Sequence, residues 1–214
     1  MTHFKDSMLK HVLAPSSSRT HPASMTEERS RRLAAVMFTD VVGYTALMQD
    51  DEEAARIVRL RHREALEAAI DAHGGELVQY LGDGSLSTFP SAVRAVSAAV
   101  EIQRALREDV PLRIGVHQGE IAFDDQGIYV DSVNVASRVM GLGTAVSVLV
   151  SEKAQDELKN QRDFSTASLG YFDLKNVKHL LPVYAIRHEG LNVPRREELV
   201  GQRKGSRRVS VGVA

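Results

Sequence analysis

The chain has 214 residues, 43% apolar and 26% charged, with a formal net charge of −1 and no cysteine. That composition suits one well-cored globular domain with tails and excludes disulfides and thiolate metal sites. No apolar run approaches the ~20 residues that span a bilayer. The first 30 residues also lack a secretory signal, so the sequence predicts a cytoplasmic protein without a membrane partner.

The charge is unevenly spread. Residues 1–32 and 188–214 each hold six Lys or Arg against three Asp or Glu, leaving residues 33–187 at −7. An acidic middle is a poor non-specific partner for nucleic acid, which needs a basic face. It suits a site built around divalent cations, and it equally suits a merely acidic surface.

Residues 1–31 read as a disordered leader, with Pro15, Ser16-Ser17-Ser18 and Pro22 offering little to bury. A folded domain is expected over 32–188. It opens with the continuous apolar run Leu33–Phe38, typical of a central strand, followed by a polar turn from Thr39 to Thr45. Residues 51–73 predict a long helix stopped by Gly74-Gly75. Residues 76–81 alternate as a strand does, placing Leu77, Gln79 and Leu81 on one face. Gly82-Asp83-Gly84 then turns the chain into a hairpin with 85–89.

A second helix is expected over 91–107, with Ala95, Ala99, Ile102 and Leu106 on one stripe. Strands follow at 111–117 and 120–123. This β-α-β-β-α-β order predicts an α+β fold with a ferredoxin-like core, an antiparallel sheet with both helices on one face. A helix near 131–140, a strand at 146–150, a helix at 152–159 and strands through 172–187 extend it. Residues 189–214 read as a basic linker, and the apolar turn from Val209 suggests a following regulatory or repeat domain as a C-terminal partner.

Two acidic residues stand apart. Asp40 follows the buried strand, and Asp83 sits at the hairpin tip between two glycines. In a split βαβ sheet the first strand lies beside the hairpin, so these carboxylates can converge. Two carboxylates facing one phosphate chain can hold Mg²⁺ or Mn²⁺ while leaving room for substrate oxygens and water. Taken alone, Gly82-Asp83-Gly84 is explained equally well by turn chemistry.

Phe38-Thr39-Asp40-Val41-Val42-Gly43-Tyr44-Thr45 and Leu81-Gly82-Asp83-Gly84 resemble the metal-binding signatures of class III adenylyl and guanylyl cyclases. Val133-Asn134-Val135-Ala136-Ser137-Arg138 is similar to that family's transition-state motif, and Arg113–Glu120 resembles the strand between them. The resemblance covers about residues 32–187, with four motifs in order. It implies a lyase that converts a nucleoside triphosphate to a 3′,5′-cyclic nucleotide and pyrophosphate with two bound Mg²⁺ or Mn²⁺ ions.

The resemblance also implies roles. Asp40 and Asp83 would bind both metals, helped by the Val41 carbonyl, and backbone around Gly43, Tyr44 and Thr45 would cradle the triphosphate. Asn134, four before Arg138 on one helix face, would orient the ribose, and Arg138 would stabilise charge on the α-phosphate. Lys175 or Lys178 would meet the terminal phosphates, although surface lysines need no such role. Each site would lie between two subunits of a head-to-tail homodimer.

The base-reading positions depart from the family pattern. A lysine is usual where Gln79 stands, and an aspartate or threonine where Gly127 stands. ATP is the expected substrate, by family precedent more than by residue logic, with relaxed selectivity. GTP and pyrimidine triphosphates are the alternatives. A weakly active or inactive nucleotide-binding regulator is another reading, and a different enzyme on the same fold would leave Asn134 and Arg138 without a task.

Overall fold

The computed structural model describes residues 30–124, 127–129 and 131–200. The first strand, β1 (Ser30–Val41), begins before the apolar run and continues through Thr39 and Asp40. Asp40 therefore lies within a strand, not in the turn expected from the sequence. The strand persists because both its edges are paired. Asp40 lies opposite Gly84 on one side and Arg113 on the other.

Gly43, at φ 80°, then reverses the chain into a short helix, α1 (Tyr44–Asp50), that the sequence reading left as turn and loop. That positive φ suits glycine, which has no Cβ to clash. The long helix α2 (Glu52–Ala72) starts at Asp51, whose carboxylate accepts from the Ala54 N–H at 2.9 Å. Glu52 and Glu53 in the first turn complement the helix dipole. Its buried residues Ala55, His62, Leu66, Ala69 and Ile70 form one stripe. Gly74, at φ 63°, donates to Asp71, and Gly75 donates to Ile70, closing the helix as a Schellman motif.

The hairpin β2 (Glu76–Leu81) and β3 (Gly84–Phe89) follows as expected. A bulge between Leu77 and Gln79 breaks the simple alternation. Leu77 packs into the layer below α2, while Val78 and Leu81 pack on the opposite face. The expectation that Leu77 and Leu81 share a face is therefore corrected. Gln79, opposite Leu86, stays on the Leu81 side.

Helix α3 (Ala92–Leu106) is capped by Ser91 and carries the expected apolar stripe. Strand β4 (Leu112–Asp124) runs unbroken through Gly119, and β5 (Gly127–Tyr129) pairs with its end. Then come α4 (Asp131–Leu142), β6 (Ser147–Ser151), α5 (Glu152–Leu158), β7 (Ser165–Phe172), β8 (Leu181–Arg187) and α6 (Arg196–Val200).

Among the described residues, the strands form one sheet in the order β2-β3-β1-β4-β6-β8-β7, with β5 beside β4. Its first four strands with α2 and α3 make the expected ferredoxin-like core, an α+β fold. All pairings are antiparallel except β4–β6. Helices α2, α3 and α5 bury their apolar stripes against Ala35, Met37, Ile114, Val116, Val148 and Val150 on one face. The opposite face, with Ala34, Val36, Phe38 and Leu86, is covered by α4.

The stretch read as a linker is folded back as far as Val200. Asn192 donates its backbone N–H to Val146 at 2.9 Å and its amide to Ala145 at 2.8 Å. Leu199 is fully buried with Phe172, Leu174 and Val183, a gain from apolar burial that a solvated linker would forgo. The leader up to Arg29, and residues 201–214 with the apolar turn from Val209, lie outside the described residues. No helix among the described residues is long and apolar enough to cross a membrane.

Candidate active site

The alternation of β1 puts Val36, Phe38 and Asp40 on the α4 side of the sheet. Asp40 is only 3% exposed, a costly place for a carboxylate unless it is paired. Arg113, directly across on β4, pairs with it. Its Nε–H and a terminal N–H both donate to Oδ2 of Asp40, at 2.9 and 2.6 Å. Burial pushes the Arg113 guanidinium below its ordinary pKa, and the negative charge of Asp83 opposes that shift. One arginine thus senses both acidic residues.

Asp83 stands in the two-residue turn between β2 and β3, next to Gly84, the register partner of Asp40. The two aspartates therefore lie at the ends of adjacent strands. Gly84 permits this approach, since a Cβ there would collide with the Thr39 carbonyl. Val41 is buried at the end of β1, and Gly43, Tyr44 and Thr45 turn away beside it into α1. These five positions and Asp83 form one constellation at a single end of the sheet.

No cluster of three or more His, Cys, Asp or Glu side chains suited to a metal occurs among the described residues. The donors expected from the sequence are two carboxylates and a backbone carbonyl. Such a set fits a hard divalent cation that keeps open positions for phosphate and water, and it does not fit a closed structural metal site.

Asn134 and Arg138 sit on α4 as its third face. Val133, Ala136 and Met140 pack toward Phe38 and Leu86, while Val135, Val139 and Leu142 pack toward Leu149 and Val183. With two stripes buried in different directions, Asn134 and Arg138 are left together and half-exposed. Glycines seat this helix on β4. A Cβ at Gly115 would collide with the Met140 backbone, and one at Gly119 with the Ser132 hydroxyl. Ser132 also donates to the Glu120 carbonyl at 2.7 Å.

The remaining expected residues are looser. Gln79 is exposed on the edge strand β2, on the sheet face that carries Asp40. Gly127 lies opposite Asp124 where β5 meets β4. Lys175 and Lys178 are exposed in the loop between β7 and β8.

Three features escaped the sequence reading. Arg113 was seen within a motif but given no task, although alternation with buried Leu112 and Ile114 marks it as the odd side chain of β4. His62, which nothing in the sequence of the long helix singles out, bonds Thr39, which bonds Ser85. His117, on β4, bonds the Ser151 hydroxyl through Nδ1 at 2.7 Å. Burial pushes both histidines down to about 4, helped by the nearby charges of Arg63 and Lys153 respectively.

Comparison with known proteins places this geometry. Residues 26–188 match the model of the adenylate and guanylate cyclase catalytic domain. The chain is 33% identical over 168 residues to a Rhizobium meliloti protein provisionally named adenylate cyclase 3, covering 74% of this chain and 29% of that one. It is 31% identical over 159 residues to the adenylate cyclase of Streptomyces coelicolor, covering 72% and 42%. The chain thus spans less than half the length of these relatives. The crystal structure of an adenylate/guanylate cyclase/hydrolase from Silicibacter pomeroyi superposes with a TM-score of 0.70 at 29% identity, over 76% of this chain and all of that one. With the family model matched over residues 26–188, most of this chain, the chain belongs to the adenylate and guanylate cyclase catalytic domain family, the class III cyclases.

Proposed function

We propose that the chain converts a nucleoside triphosphate, ATP before the others, into its 3′,5′-cyclic nucleotide and pyrophosphate. The observation that carries this reading is the Asp40–Gly84 register, which puts Asp40 and Asp83 at adjacent strand ends. A merely structural turn would not need a 3%-exposed carboxylate beside it. The adenylate cyclase names of relatives support ATP.

Asp40 and Asp83, with the Val41 carbonyl, would hold two Mg²⁺ or Mn²⁺ ions. When bound, these ions lower the pKa of the attacking 3′-hydroxyl and neutralise the departing pyrophosphate. The chain's own groups do the positioning. Gly43, Tyr44 and Thr45 present backbone to the triphosphate, Asn134 orients the ribose, and Arg138 donates to the α-phosphate as charge builds there. Lys175 or Lys178 meets the terminal phosphates, and Gln79 with the Gly127 backbone lies at the base.

A head-to-tail homodimer completes each site, with Asp40 and Asp83 from one subunit and Asn134 and Arg138 from its partner. The half-exposed third face of α4 supports this arrangement, because the sheet already covers the other two. The protein is read as acting in the cytoplasm, without nucleic acid. The test is incubation with ATP, GTP, CTP and UTP plus Mn²⁺, followed by mass analysis of the products. Cyclic product that disappears in chelator, and in Asp40→Ala and Asp83→Ala, is the expected result. No cyclic product from any triphosphate would leave the regulator reading standing.

A further inference from the structure

A buried polar chain lies on the opposite side of the sheet from Asp40. His62 of α2 bonds Thr39 Oγ1 through Nε2 at 3.0 Å, and the same oxygen bonds Ser85 Oγ at 2.7 Å. All three residues are at most 1% exposed. Thr39 immediately precedes Asp40, and Ser85 is two residues beyond Asp83. The pair Thr39–Ser85 is also the register step next to Asp40–Gly84.

We infer that His62, Thr39 and Ser85 form a positioning latch that fixes the spacing between the strand carrying Asp40 and the hairpin carrying Asp83. The inference rests on the reading of those two aspartates as the metal-binding pair. At Gly84 there is no side chain to set that spacing, and the backbones already touch at the Thr39 carbonyl. Beyond the backbone ladder, a side-chain brace between these two strands at this step has to come from the far side of the sheet, where Thr39 and Ser85 face each other. The surrounding layer, with Met37, Leu66 and Val116, is apolar. Val, Leu and Ala would serve that layer for stability alone, because replacing all partners of a hydrogen-bonded set by apolar groups is close to neutral. What apolar packing lacks is direction. Hydrogen bonds fix separation and angle, and catalytic constellations tolerate errors of only about 0.5 Å. Helix α2 also follows directly from the Gly43–Thr45 segment and α1, so the latch ties that segment to both aspartates.

The test compares Thr39→Val, Thr39→Ser, and the triple change Thr39→Val, His62→Leu, Ser85→Ala in the full chain. The triple change leaves no orphaned polar group, so it keeps the test open if Thr39→Val alone unfolds. Ser85→Ala, which removes one bond, serves if both fail. The first readout is Mn²⁺ affinity by electron paramagnetic resonance with 3′-deoxy-ATP, which lacks the attacking hydroxyl. The second is kcat and KM at saturating Mn²⁺. Expected are Mn²⁺ binding about tenfold weaker and kcat down about tenfold or more in Thr39→Val and the triple variant. KM should stay within about twofold, and Thr39→Ser should restore both quantities. Wild-type Mn²⁺ affinity and kcat in the folded latch variants would overturn the latch. Asp40→Ala and Asp83→Ala distinguish the two failures. If they keep wild-type Mn²⁺ binding, the metal assignment falls and the latch falls with it. If they lose it while the latch variants do not, the latch alone is wrong.

Discussion

Arg113 places two hydrogen bonds on a single oxygen of Asp40, at 2.9 and 2.6 Å, with 20% and 5% of the respective side chains exposed. Removing one partner of a buried pair strands the other charge, a loss of about 3–5 kcal/mol. Arg113→Ala should therefore lower the melting temperature in chelator by about 6–20 °C. A divalent cation bound at Asp40 replaces part of the lost positive charge. Mn²⁺ should then raise the melting temperature of the variant more than that of the wild type. Equal Mn²⁺ shifts in scanning calorimetry would separate Asp40 from the metal.

The composite site predicts complementation. Asp40→Ala and Arg138→Ala should each be inactive, and mixing them should restore about a quarter of wild-type turnover per chain. In a random exchange half the dimers are mixed, and each carries one whole site. Subunit exchange must be verified by labelling. Verified exchange without recovery would show that both halves act within one subunit.

The seating of α4 predicts contrasting effects for two glycines. A Cβ at Gly115 meets the Met140 backbone, whereas one at Gly141 meets nothing within 4 Å. Gly115→Ala should displace the helix that carries Asn134 and Arg138, costing about 1–3 kcal/mol and lowering kcat. Gly141→Ala should leave kcat unchanged and stabilise the helix by about 0.5–1 kcal/mol. Urea unfolding and steady-state kinetics on both variants check the pair.

His62 and His117 predict an acid-sensitive fold. Each has a folded pKa of about 4, below the ordinary value of 6.5, because burial opposes its charged form. Above pH 6.5 neither state binds the proton and neither histidine contributes. As pH falls from 6.5 toward 4 the unfolded chain takes up protons that the folded chain refuses. Stability should fall over that window, by about 3 kcal/mol for each histidine, and level off below pH 4. Urea unfolding from pH 7 to pH 4 should show a shallower decline in His117→Gln than in the wild type.

Base selectivity tests Gln79 and Gly127. Gln79 offers both a donor and an acceptor, and Gly127 offers no side chain, so the edge of the base is read weakly. Gln79→Lys with Gly127→Asp should raise the ratio of kcat/KM for ATP over GTP and the pyrimidine triphosphates. An unchanged ratio would mean that other residues read the base.

The sequence by itself determined the ferredoxin-like core, because period-two and period-3.6 apolar patterns and glycine stops are local signals. It also determined the neighbourhood of Asp40 and Asp83, since a split βαβ order forces β1 beside the β2–β3 hairpin. Tertiary structure decided the rest. Asp40 reads as a turn residue until Arg113, 73 positions away, is seen to pair with it and keep the strand intact. Residues 191–199 read as linker because Leu199 gains its burial from β7 and β8 rather than from neighbours in sequence. The bulge at Leu77–Gln79 arises from pairing with β3, which no pattern within β2 displays. Nothing within α2 marks His62, whose Nε2 finds its partner in Thr39 of β1, itself bonded to Ser85 of β3. Periodicity reports which face a side chain takes, whereas partners distant in sequence are set by how the faces close on one another.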